Sequence, residues 1–293
     1  MDELATNCWM SLPEAMRRFV HDGDCVALEG FTHLIPFAAG QELIRQGRCD
    51  LHLVRMTPDL IYDQMIGMGC ARRLSFSWGG NPGVGSLHRL RDAIEHDWPH
   101  PLELDEHSHA GMAAAYTAGA SGLPFGLLRG YQGCDLPQHN SRIASVQCPY
   151  TGERLACVPA LRPDVTILHA QCADALGNVS LSGITGAQRE AAMAAKRVVV
   201  TVEQRVAQLT PAMNQIVLPH WTIDAVVLCP LGAWPSYALG HYARDNAFYL
   251  NWDAIARDRE SFLHWMQRYV LDCNDHAEML RRLFASGAAE LTS

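Results

Sequence analysis

Residues Val165 to Glu203 read VTILHAQCADALGNVSLSGITGAQREAAMAAKRVVVTVE and hold the clearest structural pattern in the chain. Residues 165–168 are apolar or β-branched, which is typical of a strand buried on both faces. The Ala-rich segment 186–196 contains no helix breaker and predicts a helix, and residues 198–202 predict a second buried strand. Because strand, crossover helix and strand make a βαβ unit, the sequence predicts a parallel sheet in an α/β protein.

Buried strands and amphipathic helices continue in both directions from this unit. A hairpin is predicted at 146–159, and short strands are predicted at 25–28, 51–56, 72–78 and 225–229. Helices are predicted at 12–21, 36–46, 61–68, 87–95, 110–120, 257–270 and 275–284. No repeat, low-complexity tract or long linker interrupts the series, so we expect residues 1–293 to form a single domain.

The composition argues against several classes of partner and compartment. The 293 residues carry a formal net charge of -8, which does not favour binding to nucleic acid. We expect no membrane span, because no apolar run approaches the roughly 18 residues that one needs. The ten cysteines are scattered without a CxxC pair, so we predict no metal site and a cytoplasmic location. The N-terminal residues 1–9 lack the pattern of a signal peptide.

Two loops that follow predicted strands are candidate binding segments. Ligands of open α/β sheets bind outside the carboxyl ends of the strands, where the first loop reads Glu29-Gly30-Phe31-Thr32. A glycine there would let a ligand approach the backbone closely, although a tight strand-to-helix turn explains it equally well. The second loop begins Gly79-Gly80-Asn81, and its spacing differs from the dinucleotide-binding fingerprint.

The densest polar cluster is Leu102–His109, which reads LELDEHSH ahead of a predicted helix. Acidic residues at that position are favoured by the helix dipole, which is sufficient to explain them. The functional alternative makes Glu106 a base or nucleophile, assisted by His107 or His109. A metal site is a weaker interpretation, since no further cluster of ligands accompanies these residues.

Several short motifs, taken in order, resemble the A (alpha) subunits of the class I coenzyme A transferases, and most closely those of the glutaconate CoA-transferase type. The similarity extends over nearly the whole chain. Its markers are Asp22-Gly23-Asp24 with Gly30-Phe31-Thr32, Gly122–Phe125, Val158–Val165, His169-Ala170-Gln171, Asp174 with Gly177-Asn178, Val200–Glu203 and Gly232–Ser236.

The resemblance implies an open, mostly parallel β-sheet with helices on both faces. It also implies a B (beta) subunit that carries the nucleophilic glutamate, in a hetero-oligomer with equal numbers of A and B chains. Acyl-CoA and a carboxylic acid would be the substrates, with coenzyme A as a substrate and no separate cofactor. The A (alpha) subunit would then shape the shared site through Glu29, Gly30, Phe31, Thr32, Gly79, Gly80 and Asn81.

One residue departs from the family pattern. Glu29 stands where the A subunits resembled here have the first glycine of Gly-Gly-Phe. A carboxylate at that position would either repel an acidic substrate or pair with an arginine. The large residues Phe31, Phe37, Trp78 and Trp234 favour a bulky or hydrophobic acyl group, although such residues also fill cores.

Two other functions are kept open. Related two-subunit ring-cleaving hydrolases of CoA esters use a glutamate of their A subunits, and the resemblance places Glu106, or else Glu103, in that neighbourhood. A protein of the same fold that binds ligand without catalysis is the remaining alternative.

Overall fold

Residues 8–287 are described by the computed structural model, and their strands form one large sheet and one small one. Most of segment 1–9, for which the sequence predicts no signal peptide, lies outside the described residues. The strands are, in chain order, β1 Cys25–Glu29, β2 Leu51–Val54, β3 Ala71–Phe76, β4 Glu103–Glu106, β5 Phe125–Leu128, β6 Ala144–Gln147, β7 Arg154–Pro159, β8 Val165–Asp174, β9 Val179–Leu181, β10 Arg197–Val206, β11 Ile216–Leu218 and β12 Ala225–Leu228.

The large sheet is mostly parallel and is built around β8. Strand β8 pairs in parallel with β1 on one side and with β10 on the other, and β10 pairs in parallel with β12. Strands β2, β3 and β4 continue the parallel order beyond β1, while β9 and β11 add antiparallel pairings. The βαβ unit and the parallel sheet predicted from the sequence are confirmed.

Ten α-helices occur among the described residues. They are α1 Leu12–Phe19, α2 Phe37–Arg45, α3 Leu60–Gly67, α4 His88–His96, α5 His109–Ala120, α6 Leu136–His139, α7 Gln188–Ala194, α8 Asn246–Arg257, α9 Arg259–Met266 and α10 His276–Ala285. A 3₁₀ turn at His220–Thr222 and a π-helical turn at Gln267–Leu271 complete the helical segments of residues 8–287.

The helices cover both faces of the large sheet, as predicted. Strand β1 shows the division, because successive side chains of a strand point to opposite faces. Leu28 joins the main core with α2 and α3, whereas Ala27 joins a second cluster with Met112 of α5 and Ala191 of α7. The small sheet, in the order β5-β7-β6, packs its Val158 side against Ala115 of α5. No helix within residues 8–287 is long and apolar enough to cross a bilayer.

The structure contains β5, β9, β11 and α6, which the sequence does not predict, and it differs further at three elements. Residues 103–106 form the edge strand β4, although the sequence predicts only a polar segment before a helix, because they pair with β3. Helix α8 is not predicted from the sequence, yet it buries Trp252 in the core. The single helix predicted at 257–270 is interrupted at Asp258, whose side chain caps α9 by accepting a hydrogen bond from the Ser261 N–H.

Candidate active site

A cavity of about 400 Å³ lies at the carboxyl ends of β1, β2 and β3. Parallel strands bring the loops that follow them to one edge of the sheet, which is where open α/β sheets bind ligands. The lining is mostly apolar, and it consists of Phe31, Thr32, Arg55, Thr57, Asp59, Trp78, Pro82, Gly83 and His109. Two of the predicted site residues, Phe31 and Thr32, therefore lie in its wall.

The loop after β1 has a strained backbone. Thr32 and Leu34 have φ angles of 62° and 53°, in the left-handed region that side chains rarely adopt. Such conformations cost about 1–3 kcal/mol each and persist only where the surroundings enforce them. Here Leu34 N–H donates to the Tyr237 carbonyl at 3.0 Å, and Ile35 N–H donates to Ser236 Oγ at 3.3 Å. The segment before α8 thus holds this loop against the cavity.

Gly30 is required by this packing. A β-carbon on residue 30 would lie 2.7 Å from the Leu34 carbonyl oxygen and 2.9 Å from the His33 carbonyl oxygen. The close approach made possible by this glycine is therefore between the chain and its own loop. Space for a ligand, which the sequence suggested as the reason for the glycine, is not needed to explain it.

A buried ion pair forms part of the cavity wall. Arg55 Nη1 lies 2.9 Å from Asp59 Oδ1, and both side chains are 1% exposed. Arg55 Nη2 also donates to the Gly30 carbonyl at 2.8 Å, so the pair connects the ends of β1 and β2. The sequence signal for this pair is a charged residue inside the apolar strand LHLVRM, followed by Thr-Pro-Asp.

Residues 9–228 match the sequence profile of Coenzyme A transferase. The chain belongs to the coenzyme A transferase family. The A-type subunit of the 3-oxoadipate CoA-transferase of Pseudomonas knackmussii is 62% identical over 274 residues, which cover 94% of this chain and 97% of that protein. The resemblance inferred from the short motifs is confirmed, and the chain is a CoA-transferase subunit of the A type.

Two solved structures share the fold of this CoA-transferase subunit. Glutaconate coenzyme A-transferase from Acidaminococcus fermentans is 30% identical and superposes with a TM-score of 0.87, over 95% of this chain and 93% of that one. A variant of the decarboxylase AibA/AibB is 32% identical and superposes with a TM-score of 0.77, over 88% of this chain and 98% of that one. The same architecture therefore supports more than one reaction.

Glu29, the departure from the family pattern, points away from the cavity. Its Oε1 accepts hydrogen bonds from the Met56 N–H at 3.1 Å and from the Tyr116 hydroxyl at 2.7 Å, beneath α5. Burial raises the pKa of this carboxyl, although the charge of Arg55 opposes the rise. Glu29 is 2% exposed, so it presents little charge to a molecule in the cavity.

The glycine loop after β3 contributes to the cavity through its second half. Pro82 and Gly83 line the cavity, whereas Gly79, Gly80 and Asn81 lie outside the lining. Asn81 is buried, donates from Nδ2 to the Tyr249 carbonyl at 2.8 Å, and closes a turn through its N–H to the Gly85 carbonyl at 2.9 Å. These predicted binding residues therefore stand where they shape the loop, and their contact with substrate stays a prediction.

The acidic cluster is divided between the two sides of β4. Asp105 is buried, and burial raises its pKa, but hydrogen bonds from His107 and Ser75 outweigh this and hold the pKa well below its usual range. Glu106 is exposed at the end of β4, and Glu103 contacts Arg73 at 3.3 Å. Of the polar cluster only His109 reaches the cavity. Residues 8–287 contain no group of three His, Cys, Asp or Glu side chains arranged to hold a metal ion.

Sequence reasoning missed a buried network that joins two of the family markers, at His169 and Glu203, to the segment after β12. Glu203 Oε1 accepts from the Tyr242 hydroxyl at 2.6 Å and lies 2.7 Å from His169 Nε2, while its Oε2 accepts from the Leu231 N–H at 2.8 Å. Burial raises the pKa of Glu203, but these hydrogen bonds and the charge of His169 hold it below its ordinary value. The network fixes the segment after β12, which in turn carries Ser236 and its contact to the strained loop.

Proposed function

We propose that this chain is the A half of a two-subunit acyl-CoA:carboxylate CoA-transferase and that the cavity receives the acyl group. One observation carries the proposal: the carboxylate in the cavity lining is Asp59, which is committed to Arg55. A carboxylate held in a buried ion pair is a poor nucleophile, because attack would break the pair and leave Arg55 uncompensated. The nucleophilic glutamate is therefore supplied by a B subunit.

The proposed reaction proceeds through two mixed anhydrides and one glutamyl-CoA thioester. The B-subunit glutamate attacks the thioester carbonyl and the carbon–sulfur bond breaks. The CoA thiolate leaves, and the glutamate and the acyl group now form a mixed anhydride. The thiolate attacks the glutamyl carbonyl of the anhydride, which releases the first carboxylate and leaves a glutamyl-CoA thioester. The acceptor carboxylate attacks that thioester, and the returning thiolate then attacks the acyl carbonyl of the new anhydride. The products are the new acyl-CoA and the free glutamate.

The present chain contributes positioning and exclusion of water. Phe31, Trp78 and Pro82 supply apolar surface against the acyl chain, and closing such a site protects an anhydride from hydrolysis. Thr32 and Thr57 supply hydroxyl groups, which can donate to a carbonyl or carboxylate oxygen. Gly79, Gly80 and Asn81 support the loop that carries Pro82, and Glu29 and Gly30 support the loop that carries Phe31.

We propose a dicarboxylic acid as the source of the acyl group. The relatives at 62% and 30% identity are named for 3-oxoadipate and glutaconate, and both are dicarboxylates. His109, Thr32 and Thr57 line the cavity and can donate hydrogen bonds to the carboxylate that remains free in the acyl chain. We propose this dicarboxylic acyl group in place of the bulky or hydrophobic acyl group that the aromatic residues alone suggested.

Assembly and location follow from the same proposal. A and B chains would associate in equal numbers, so the present chain alone would be poorly soluble or self-associated and would lack turnover. All ten cysteines are free thiols, which suits a reducing compartment, and we propose the cytoplasm. We further propose that residues 1–293 act as one domain within the complex.

The experiment compares the purified A–B pair with a Glu106→Gln variant, using an acyl-CoA of a dicarboxylic acid. Transfer of CoA to a labelled acceptor acid, with borohydride trapping on the B-type partner and turnover within about twofold in Glu106→Gln, supports the proposal. The substitution preserves size and hydrogen-bonding shape. Release of free CoA without an acceptor, abolished by Glu106→Gln, would establish the hydrolase instead. Loss of carbon dioxide from the acyl group would establish a decarboxylase.

A further inference from the structure

The crossover after β8 is fastened to that strand by one glutamine. The Ser182 N–H donates to Gln171 Oε1 at 3.1 Å, and Gln171 Nε2 donates back to the Ser182 carbonyl at 3.0 Å. Gln171 is buried, and it belongs to the His169-Ala170-Gln171 marker. This two-point contact fixes the position of the backbone where the crossover leaves β9.

His33 joins the same carbonyl to the strained loop. Its Nε2 lies 3.1 Å from the Ser182 carbonyl oxygen and its Nδ1 lies 3.3 Å from the Phe31 carbonyl oxygen. Carbonyl oxygens only accept hydrogen bonds and a neutral imidazole carries one N–H, so the ring donates to one of these two carbonyls, according to its tautomer. His33 is 0% exposed, and its ring packs on Tyr237 with centroids 4.8 Å apart. The side chain is thus enclosed between two backbone segments.

Glycines of the crossover fit closely against this loop. A β-carbon on Gly183 would lie 2.5 Å from His33 Nε2, and a β-carbon on Gly186 would lie 2.8 Å from the Phe31 β-carbon. The crossover therefore contacts both the residue that holds the loop and the aromatic residue that lines the cavity. A shift of the crossover would displace Phe31 directly.

From these contacts we propose that Gln171 and His33 are positioning residues, which hold the crossover 182–186 against loop 30–35 and so set the Phe31–Thr32 wall of the cavity. Neither side chain belongs to the cavity lining, so both act through that wall. The inference rests on the proposed function, because it assumes that the cavity binds the acyl group. It assigns a physical role to a family marker that lies outside the cavity.

The test measures turnover of the A–B complex carrying His33→Leu, His33→Gln or Gln171→Leu. Thr166→Val is the matched control, because Thr166 is also buried in β8 and its Oγ1 donates one hydrogen bond, to the Ala191 carbonyl at 2.9 Å. We expect His33→Leu and Gln171→Leu to lower kcat about 100-fold with KM changed less than about threefold, since misplaced positioning groups act on kcat. His33→Gln retains a donor and should recover most of the rate.

Hydrogen exchange provides a readout that does not need activity. In the wild-type complex, amides of 30–35 and 182–186 should be protected together, and Gln171→Leu should increase exchange in both segments. Wild-type rates in both leucine variants, or an equal loss in Thr166→Val, would overturn the inference. If the wild-type complex shows no CoA transfer, the proposed function has failed. The exchange result then decides the inference alone, and increased exchange in 182–186 without an increase in 30–35 would refute it.

Discussion

Two loops that line the same cavity are built in opposite ways. Loop 30–35, after β1, has non-glycine residues in the left-handed region and is held by contacts from Arg55, the crossover and the segment before α8. Loop 79–85, after β3, places its positive φ angles at Gly83 and Gly85, where a β-carbon would meet nothing within 4 Å. The first loop is packed on the sides that face away from the cavity, and the second is open around Gly83.

If the cavity binds the acyl group as proposed, this difference indicates which wall can adapt to it. Interactions from several elements fix the backbone of loop 30–35, so its geometry changes only when the core changes. Trp78, immediately before the glycine loop, is 44% exposed and borders the cavity on the open side. We expect related acyl groups to be accommodated by movement on the Trp78 side, while the Phe31 side keeps its position.

The strongest test of this comparison substitutes one glycine in each loop. Overpacking against side chains that can move costs about 1–3 kcal/mol. A side chain at residue 30 would clash with backbone atoms that cannot move aside, so Gly30→Val should destabilise the chain by more than about 5 kcal/mol. Gly83→Ala should cost about 1 kcal/mol, owing to its left-handed backbone and not to any contact. Denaturant unfolding and soluble yield measure both. Equal losses in the two variants would show that the loops do not differ in packing.

A second test removes the charge that connects the packed loop to β2. Arg55→Met leaves Asp59 buried without its partner and the Gly30 carbonyl without its donor, which should cost about 3–5 kcal/mol. Adding Asp59→Asn removes the uncompensated charge and should recover much of the stability, but not the turnover of the A–B complex. If the double variant is no more stable than Arg55→Met alone in urea unfolding, the charge is not the cause of the loss.

The smallest expected effect is a dependence of the folding stability on pH, caused by the buried His276 of α10. His276 Nε2 contacts the Leu231 carbonyl at 3.0 Å, and burial lowers the pKa of this histidine to about 4. The unfolded chain binds the proton near pH 6.5. The stabilising contribution is therefore present above pH 6.5 and is lost as the pH falls toward 4, by about 3 kcal/mol in total.

The corresponding measurement compares wild type with His276→Gln in urea unfolding at pH 7 and pH 4.5. Glutamine keeps a donor for the Leu231 carbonyl and does not titrate. Wild type should lose about 2–3 kcal/mol more than the variant over this range. Parallel losses in the two proteins would assign the acid sensitivity to other groups.

Much of the fold could be predicted from local patterns of apolar and polar residues. The apolar runs of β1, β8, β10 and β12 and the helical periodicity of α1, α2 and α10 predicted these elements, because burial on both faces of a parallel sheet leaves a continuous hydrophobic signal. Strand β4 and helix α8 gave weaker signals. The residues ELDE of β4 form a strand because β3 offers it a pairing edge, which local composition does not record.

The candidate site was located by the sequence only to the level of its loops. The strand-end rule and the family motifs identified Phe31, Thr32 and the loop that begins at Gly79, since these depend on chain order. The direction of each side chain depended on tertiary contacts: Tyr116 of α5 accounts for the burial of Glu29, and Asp59 pairs with Arg55 inside the cavity wall. Sequence alone therefore determined the parallel sheet, the carboxyl ends of its strands as the place of the site, and the family. The tertiary structure decided which residues face the cavity, because that is set by contacts between segments far apart in the chain.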